Sequence, residues 1–336
     1  MVEEIKLWPK KLKEGLDIAH NFHFANSTKL PKKINKIVFC GMGGSGIAGR
    51  ILKSFFDKKS KIPTFAINSS VLPNFVDSET LAIVISYSGN TWETVGVLNS
   101  LVNKFVPTIV LANGGKVAEI AENKNLPFIL LPQSKTPRSA LGNFLGILLG
   151  LFDLMGLLDG GKQAVVAFEK IAQIYTPKFD NKSCFEDFLN YVGSDDFLQI
   201  WGLEGDCESA AYRAQTQFNE NSKVQAIALS FPELTHNLVV GFSKFEKKPK
   251  ILMFSTEFLP GNLEIALIST VELLKDKGIS LYKPQILGDT WEEQLFYIIL
   301  WADFASYYLA LHRNVDAYPV KIIEELKNKY KVNGIK

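Results

Sequence analysis

Six residues, Gly41-Met42-Gly43-Gly44-Ser45-Gly46, stand directly after the apolar run KIVFC and before a helical segment. Glycines at such a point let the backbone turn sharply and come close to an anion, while the free N–H groups of the helix start point at it. The chemistry this suits is phosphate binding, with Gly44 and Ser45 as contacts. A second loop, Ser86-Tyr87-Ser88-Gly89-Asn90-Thr91, follows another apolar run and precedes the helical segment WETVGVL. Its hydroxyls, on Ser86, Ser88 and Thr91, donate hydrogen bonds to phosphate oxygens without bringing a full charge. Taken singly, each loop is also a tight turn in which Ser88 or Thr91 caps the next helix; taken as a pair, they predict convergence on one phosphate. The glycines also spell GxGxxG, the dinucleotide fingerprint, which calls for an acid about 20 residues on at the end of the second strand. That strand ends Asn68-Ser69-Ser70, with Asp77 and Glu79 further along in a loop, so the dinucleotide reading fits poorly.

These loops need strands to carry them. Short apolar, β-branched runs alternate with helix-length connections: KIVFCG ending at Gly41, TFAINS at Ser69, LAIVISYS at Ser88, TIVLANG at Gly114 and PFILLP at Pro132. Near-continuous apolar strands in this arrangement predict a parallel sheet covered on both faces, a doubly wound α/β lobe. The chain turns polar and helical between Leu158 and Glu186, and the plan then repeats through FLQIWGLEG, VQAIALS, PKILMFST and the ISLYKPQIL region. The starts of the two halves, KIVFCGMGGSGIAGRI and FLQIWGLEGDCESAAYRA, share a strand, a glycine-bearing turn and a helix. The expectation is two copies of one fold, residues 25–158 and 184–336, the second with a less glycine-rich loop.

Composition narrows the function classes. The 336 residues, 47% hydrophobic, suffice for two well-covered cores. Lys and Arg number 37 against 35 Asp and Glu, a net charge of +2 that argues against nucleic-acid or membrane-surface binding and for a small ligand. Three cysteines, Cys40, Cys184 and Cys207, show neither CxxC nor Cys/His metal spacing, which fits a reducing cytoplasm, no metal and no redox cofactor. The N-terminus lacks the apolar stretch of a signal peptide. Two long apolar stretches, starting at Leu141 and Leu295, carry internal acids, Asp153 and Asp303, and are expected to be core or subunit-interface helices rather than membrane spans. As interface helices they would imply an oligomer.

With both loops on one lobe, the sequence resembles the SIS (sugar isomerase) domain superfamily, whose members bind phosphosugars. Further segments narrow the resemblance: Thr136-Pro137-Arg138-Ser139-Ala140, Phe218-Asn219-Glu220-Asn221, Pro232-Glu233-Leu234-Thr235-His236-Asn237, and Asp316-Ala317-Tyr318-Pro319-Val320 leading to Lys327. These are similar to the bifunctional phosphoglucose/phosphomannose isomerases, occur in family order and span nearly the whole chain. The resemblance implies two SIS-type αβα lobes holding a hexose 6-phosphate between them, a homodimer, and metal-independent exchange of fructose 6-phosphate with glucose 6-phosphate, mannose 6-phosphate or both.

That reaction moves a proton between C1 and C2 through an enediol(ate), and needs a base, a cation beside the oxyanion and a group to open the ring. The resemblance assigns Glu220 as base, Arg138 as the cation, His236 to ring opening and Lys327 to a substrate contact. Without it, Glu220 reads as a helix-terminal acid, Arg138 as a surface charge, His236 as a solvated loop histidine and Lys327 as a helix-dipole partner. Some members resemble Asp-Pro-Thr-Pro-Val where this chain has Asp316 to Val320, with Tyr318 at the threonine, which leaves the balance between the C2 epimers open. Two other readings keep the phosphate cradle: a phosphosugar-binding regulator, for which no helix-turn-helix or basic recognition stretch is visible, and an aminosugar-phosphate isomerase with a different base and ring opener.

Overall fold

In the computed structural model, residues 1–22, 33–244 and 248–334 are described. The chain divides into two compact units, Leu7–Val165 with Val320–Lys336, and Val166–Pro319 with Met1–Lys6. The sequence-based start of the first lobe, residue 25, lies outside the described residues. The structure adds to this lobe both an N-terminal helix and the chain's last segment.

A short helix α1 (Val2–Lys6) opens the chain. The first lobe then runs α2 (Trp8–His20), β1 (Lys36–Cys40), α3 (Gly43–Lys59), β2 (Thr64–Ile67), β3 (Thr80–Ser86), α4 (Trp92–Asn103), β4 (Thr108–Ala112), α5 (Gly115–Asn123), β5 (Phe128–Leu130) and α6 (Leu141–Leu154). Its five strands are all parallel in the order β2-β1-β3-β4-β5. Each of the five apolar runs forms its expected strand. All residues of β3 and β4 are buried, because central parallel strands are covered by helices on both faces. Helix α2 lies along α6 at backbone contact: a Cβ on Gly146 would stand 2.3 Å from the Leu12 carbonyl oxygen, and one on Gly15 2.5 Å from that of Asn143.

The second lobe runs α7 (Gly161–Phe179, from Val166 on), α8 (Glu186–Val192), β6 (Phe197–Leu203), α9 (Glu208–Gln217), β7 (Gln225–Phe231), β8 (Lys250–Met253), α10 (Gly261–Asp276), β9 (Leu281–Tyr282) and α11 (Trp291–His312). Its sheet is parallel in the order β7-β6-β8-β9, which repeats strand for strand the first four of the other lobe. The repeat read from the sequence is therefore a repeat of topology. Helix α12 (Lys321–Val332) closes the chain and groups with the first lobe.

The two apolar stretches are α6 and α11. Helix α6 is buried from Leu141 to Phe152. Helix α11 is long and apolar enough to cross a membrane, but 83% of its most apolar window is buried inside the fold. Both are core helices, so their composition is accounted for within one chain and makes no case for an oligomer.

Candidate active site

In the first lobe the strand order reverses at β1, which has β2 on one side and β3 on the other, and ligands of open α/β sheets bind at such a switch point. The loops after β1 and β3 meet there. The Tyr87 N–H donates to Ser45 Oγ at 2.9 Å, and the Tyr87 carbonyl accepts from Asn113 N–H at 3.1 Å, which ties in the loop after β4. At Gly89, φ is +66° and a Cβ would fall 1.6 Å from the Gly114 carbonyl oxygen, so only glycine lets the two loops stack. Met42 is the N-cap of α3 and has no oxygen to offer the first-turn amides. Thr91 is the N-cap of α4, yet its hydroxyl makes no capping bond. The capping explanation for Thr91 therefore fails. Ser88 Oγ accepts only a long turn bond from Asn90 N–H, at 3.3 Å, and Ser86 Oγ, buried at the end of β3, has no hydrogen-bond partner among the described residues. Two helix starts and several hydroxyls thus converge with donor capacity unspent, as an anion requires.

The turn that carries Arg138, immediately before α6, abuts this crevice. It is a 3-10 turn, Pro137–Ala140, closed by a capping box in which the Thr136 side chain accepts from Ser139 N–H and Ser139 Oγ accepts from Thr136 N–H at 3.3 Å; Ser139 N–H and Oγ–H also donate to the Thr136 carbonyl at 3.1 and 2.8 Å. Buried Lys11 on α2 donates its ammonium to the Ser139 carbonyl at 2.7 Å and anchors the same turn. The turn rests directly on the glycine loop, since a Cβ on Gly44 would lie 3.0 Å from the Arg138 amide nitrogen. Arg138 is 3% exposed and is no surface charge. At the end of β2, where a dinucleotide site needs an acid, the Asn68 amide donates to the Gly41 carbonyl and braces the loop instead.

Glu220 and His236 both belong to the second lobe. Glu220 is half-buried in a π turn, Phe218–Ser222, which continues α9 and leads into the start of β7. His236 is exposed in a 3-10 turn, Glu233–His236, that follows the end of β7. The structure does not bring the two together: β7 separates them by seven extended residues, about 20 Å at roughly 3.3 Å per residue. Lys327 is exposed on α12, a helix with every residue at least partly exposed. Among the described residues no group of three His, Cys, Asp or Glu could hold a metal ion. Burial pushes the Cys40 thiol up to about 12 and raises Cys207 as well, so neither offers a thiolate nucleophile.

Sequence reasoning missed the supports of these residues. Lys11, Asn221, Ser306 and the buried pair Arg213–Asp303 all act across long sequence separations. Asp303 left a signal, as an acid in the apolar stretch from Leu295, because a buried carboxylate requires a partner; Asn221 stands in a segment the sequence singles out, but nothing local points to its partner.

Comparison with known proteins places this geometry. The SIS domain matches residues 32–141, and the bacterial phospho-glucose isomerase C-terminal SIS domain matches residues 192–330. Both lobes are thus SIS lobes. The chain is 32% identical over 341 residues to the bifunctional phosphoglucose/phosphomannose isomerase of Caldicellulosiruptor bescii, covering 98% of each protein. It is 31% identical to the protein of that name in Thermoplasma volcanium, over 94% of this chain and 97% of that one. It belongs to the bifunctional phosphoglucose/phosphomannose isomerase family. The fold also matches a candidate phosphosugar isomerase of Clostridium difficile 630, with a TM-score of 0.75 at 14% identity over 97% of this chain and 98% of that one.

Proposed function

We propose that the protein interconverts fructose 6-phosphate with glucose 6-phosphate and mannose 6-phosphate. The observation that carries this is the first-lobe crevice, where unspent hydroxyls and two helix starts meet the buried Arg138, in a chain of this family. The phosphate sits on the loops of Gly44, Ser45, Ser86, Ser88 and Thr91. Glu220 carries a proton between C1 and C2, so that delivery to one face of C2 gives the glucose epimer and to the other the mannose epimer. Arg138 offers the oxygen that becomes negative a fixed guanidinium, which stabilises the enediolate more than the neutral sugar. His236 takes and returns the ring proton, and Lys327 contacts the substrate.

A base and a ring opener at opposite ends of β7 cannot reach one hexose within a single chain. A homodimer resolves this if one copy supplies Glu220 and its partner supplies the histidine. We place this dimer in the cytoplasm, in line with three unpaired cysteines.

The test is conversion of fructose 6-phosphate, with a chelator present, scored separately for the two aldoses in wild type and Glu220→Gln. Wild type should form both products. The variant should bind substrate and lose turnover by at least about 10³-fold, within the range for removing an acid–base group. Wild type that binds the sugar phosphate but converts none would favour a regulator or an aminosugar enzyme. Activity of a stable monomer would remove the shared-histidine arrangement.

A further inference from the structure

The π turn that carries Glu220 is held from outside. A five-residue π turn gives up regular helical bonding and persists where its surroundings fix it. On one flank, Asn219 accepts the Ala226 N–H at 2.7 Å and donates to the Ala226 carbonyl at 3.2 Å, locking the turn to the start of β7. On the other flank one residue of α11, Ser306, bonds both Asn221 and Ser222. Asn221 donates its amide to Ser306 Oγ at 2.9 Å, and Ser222 donates its hydroxyl to the Ser306 carbonyl at 2.6 Å. The Ser306 hydroxyl donates in turn to the Asp303 carbonyl at 2.8 Å, which fixes its proton and leaves its lone pairs for Asn221. One helical turn back, the Asp303 carboxylate takes two bonds from Arg213, at 2.9 and 2.8 Å, and Arg213 stands on α9, which runs straight into the π turn. Asn221, Ser222 and Ser306 are all 0% exposed. The side chains of Asn219, Asn221 and Ser222 are all committed to hydrogen bonds with β7 or α11, and Glu220 between them is half-buried.

We infer that Ser306 is a positioning residue for Glu220, acting through Asn221 to set the rotation of the π turn and hence where the carboxylate points. This rests on the proposed role of Glu220 as base. Apolar contacts would hold the end of α9 against α11 at lower desolvation cost, since α11 buries many Trp, Phe, Tyr, Ile and Leu side chains. They would leave its rotation free, whereas hydrogen bonds are directional. A reacting group displaced by about 1 Å can cost 10²-fold in rate.

The test compares full-length wild type with Ser306→Ala for kcat, KM and thermal midpoint, and for exchange of the transferred hydrogen with deuterated solvent. The expected result is a kcat lower by about 10- to 100-fold with KM within about twofold and proton exchange falling in step, in a variant that still melts cooperatively. A kcat within about twofold of wild type, or a proportionate change of kcat and KM with a collapsed midpoint, overturns the inference. Should Ser306→Ala not fold, Asn221→Ser, too short to reach Ser306, breaks the same bond from the other side and is judged by the same numbers. Glu220→Gln distinguishes the two claims. If it is inactive while Ser306→Ala is unimpaired, only the positioning role fails; if it keeps wild-type turnover, the base assignment fails and takes this inference with it.

Discussion

In both lobes the first strand has its successor on one side and the third strand on the other, and loops leaving the first and third strands meet at the carboxyl edge. In the first lobe the meeting is between neutral groups, Tyr87 N–H and Ser45 Oγ, with further hydroxyls and amides left over. In the second lobe the equivalent loops are joined by a carboxylate. Asp206, in the turn after β6, accepts the Thr256 N–H at 3.0 Å and the Thr256 hydroxyl at 2.6 Å from the loop after β8, and is 2% exposed. Trp291 adds a bond from its indole N–H to the Asp206 carbonyl at 3.1 Å. The second crevice therefore carries its own anion at the start of α9, where its donors are spent and a phosphate would meet a negative charge. Backbone topology builds the crevice; whether it takes a ligand depends on which donors the side chains have already used.

Filling the first crevice should break this contrast most severely. Gly44→Val places a branched side chain where even a Cβ would stand 3.0 Å from the Arg138 amide. It should raise KM for fructose 6-phosphate by at least about tenfold, a loss of roughly 1.4 kcal/mol or more, and abolish the thermal protection that substrate gives the wild type. Kinetics and melting curves with and without sugar phosphate check this. An unchanged KM would remove the phosphate from this loop.

Emptying the second crevice should do the converse. Asp206→Ala leaves the Thr256 N–H and hydroxyl buried without their acceptor, at a cost of about 1–3 kcal/mol in stability, read as a lower denaturant midpoint. KM for fructose 6-phosphate should stay within about twofold. A tenfold rise in KM without loss of stability would mean that the second crevice also handles substrate.

The contrast was only half legible in the sequence. The glycine and hydroxyl loops of the first lobe are contiguous, so local pattern was enough to find them, and continuous apolar runs located all the strands down to the two residues of β9. In the second lobe the loop GLEGDCES reads as a weaker copy of the cradle, because nothing local shows that Asp206 will meet Thr256, 50 residues on. The pairing of α2 with α6 was hidden for the same reason: Gly15 and Gly146 are backbone contacts between distant segments, and small residues in a helix carry no local signal of their partner. The separation of Glu220 from His236 was available in principle. VQAIALS lies between them and its pattern predicts a strand, which puts its two ends on opposite edges of the sheet.

The smallest predicted effect concerns the thiols beside the two crevices. Cys40 is the last residue of β1, and Cys207 is the N-cap of α9, with its Sγ 3.2 Å from the Phe254 carbonyl oxygen. Both are buried, and burial raises both pKa values, Cys40 to about 12, because a thiolate cannot be solvated there. Unfolding returns each thiol to its usual value of about 8.5. Above that value the unfolded chain loses protons that the folded chain keeps, so stability present at neutral pH is lost progressively as pH rises from about 8.5 toward the raised values. Stability measured from pH 7 to 10.5 should fall in wild type and fall less steeply in Cys40→Ala and in Cys207→Ala. A disulfide-based thiol reagent should modify the exposed Cys184 quickly in the native protein and reach Cys40 and Cys207 only after denaturant is added. Burial is the main cause in both lobes, and at Cys207 the neighbouring Asp206 carboxylate adds to it. Fast native reaction at Cys40 but not at Cys207 would show that the first crevice also opens to solvent more readily than the one closed by Asp206.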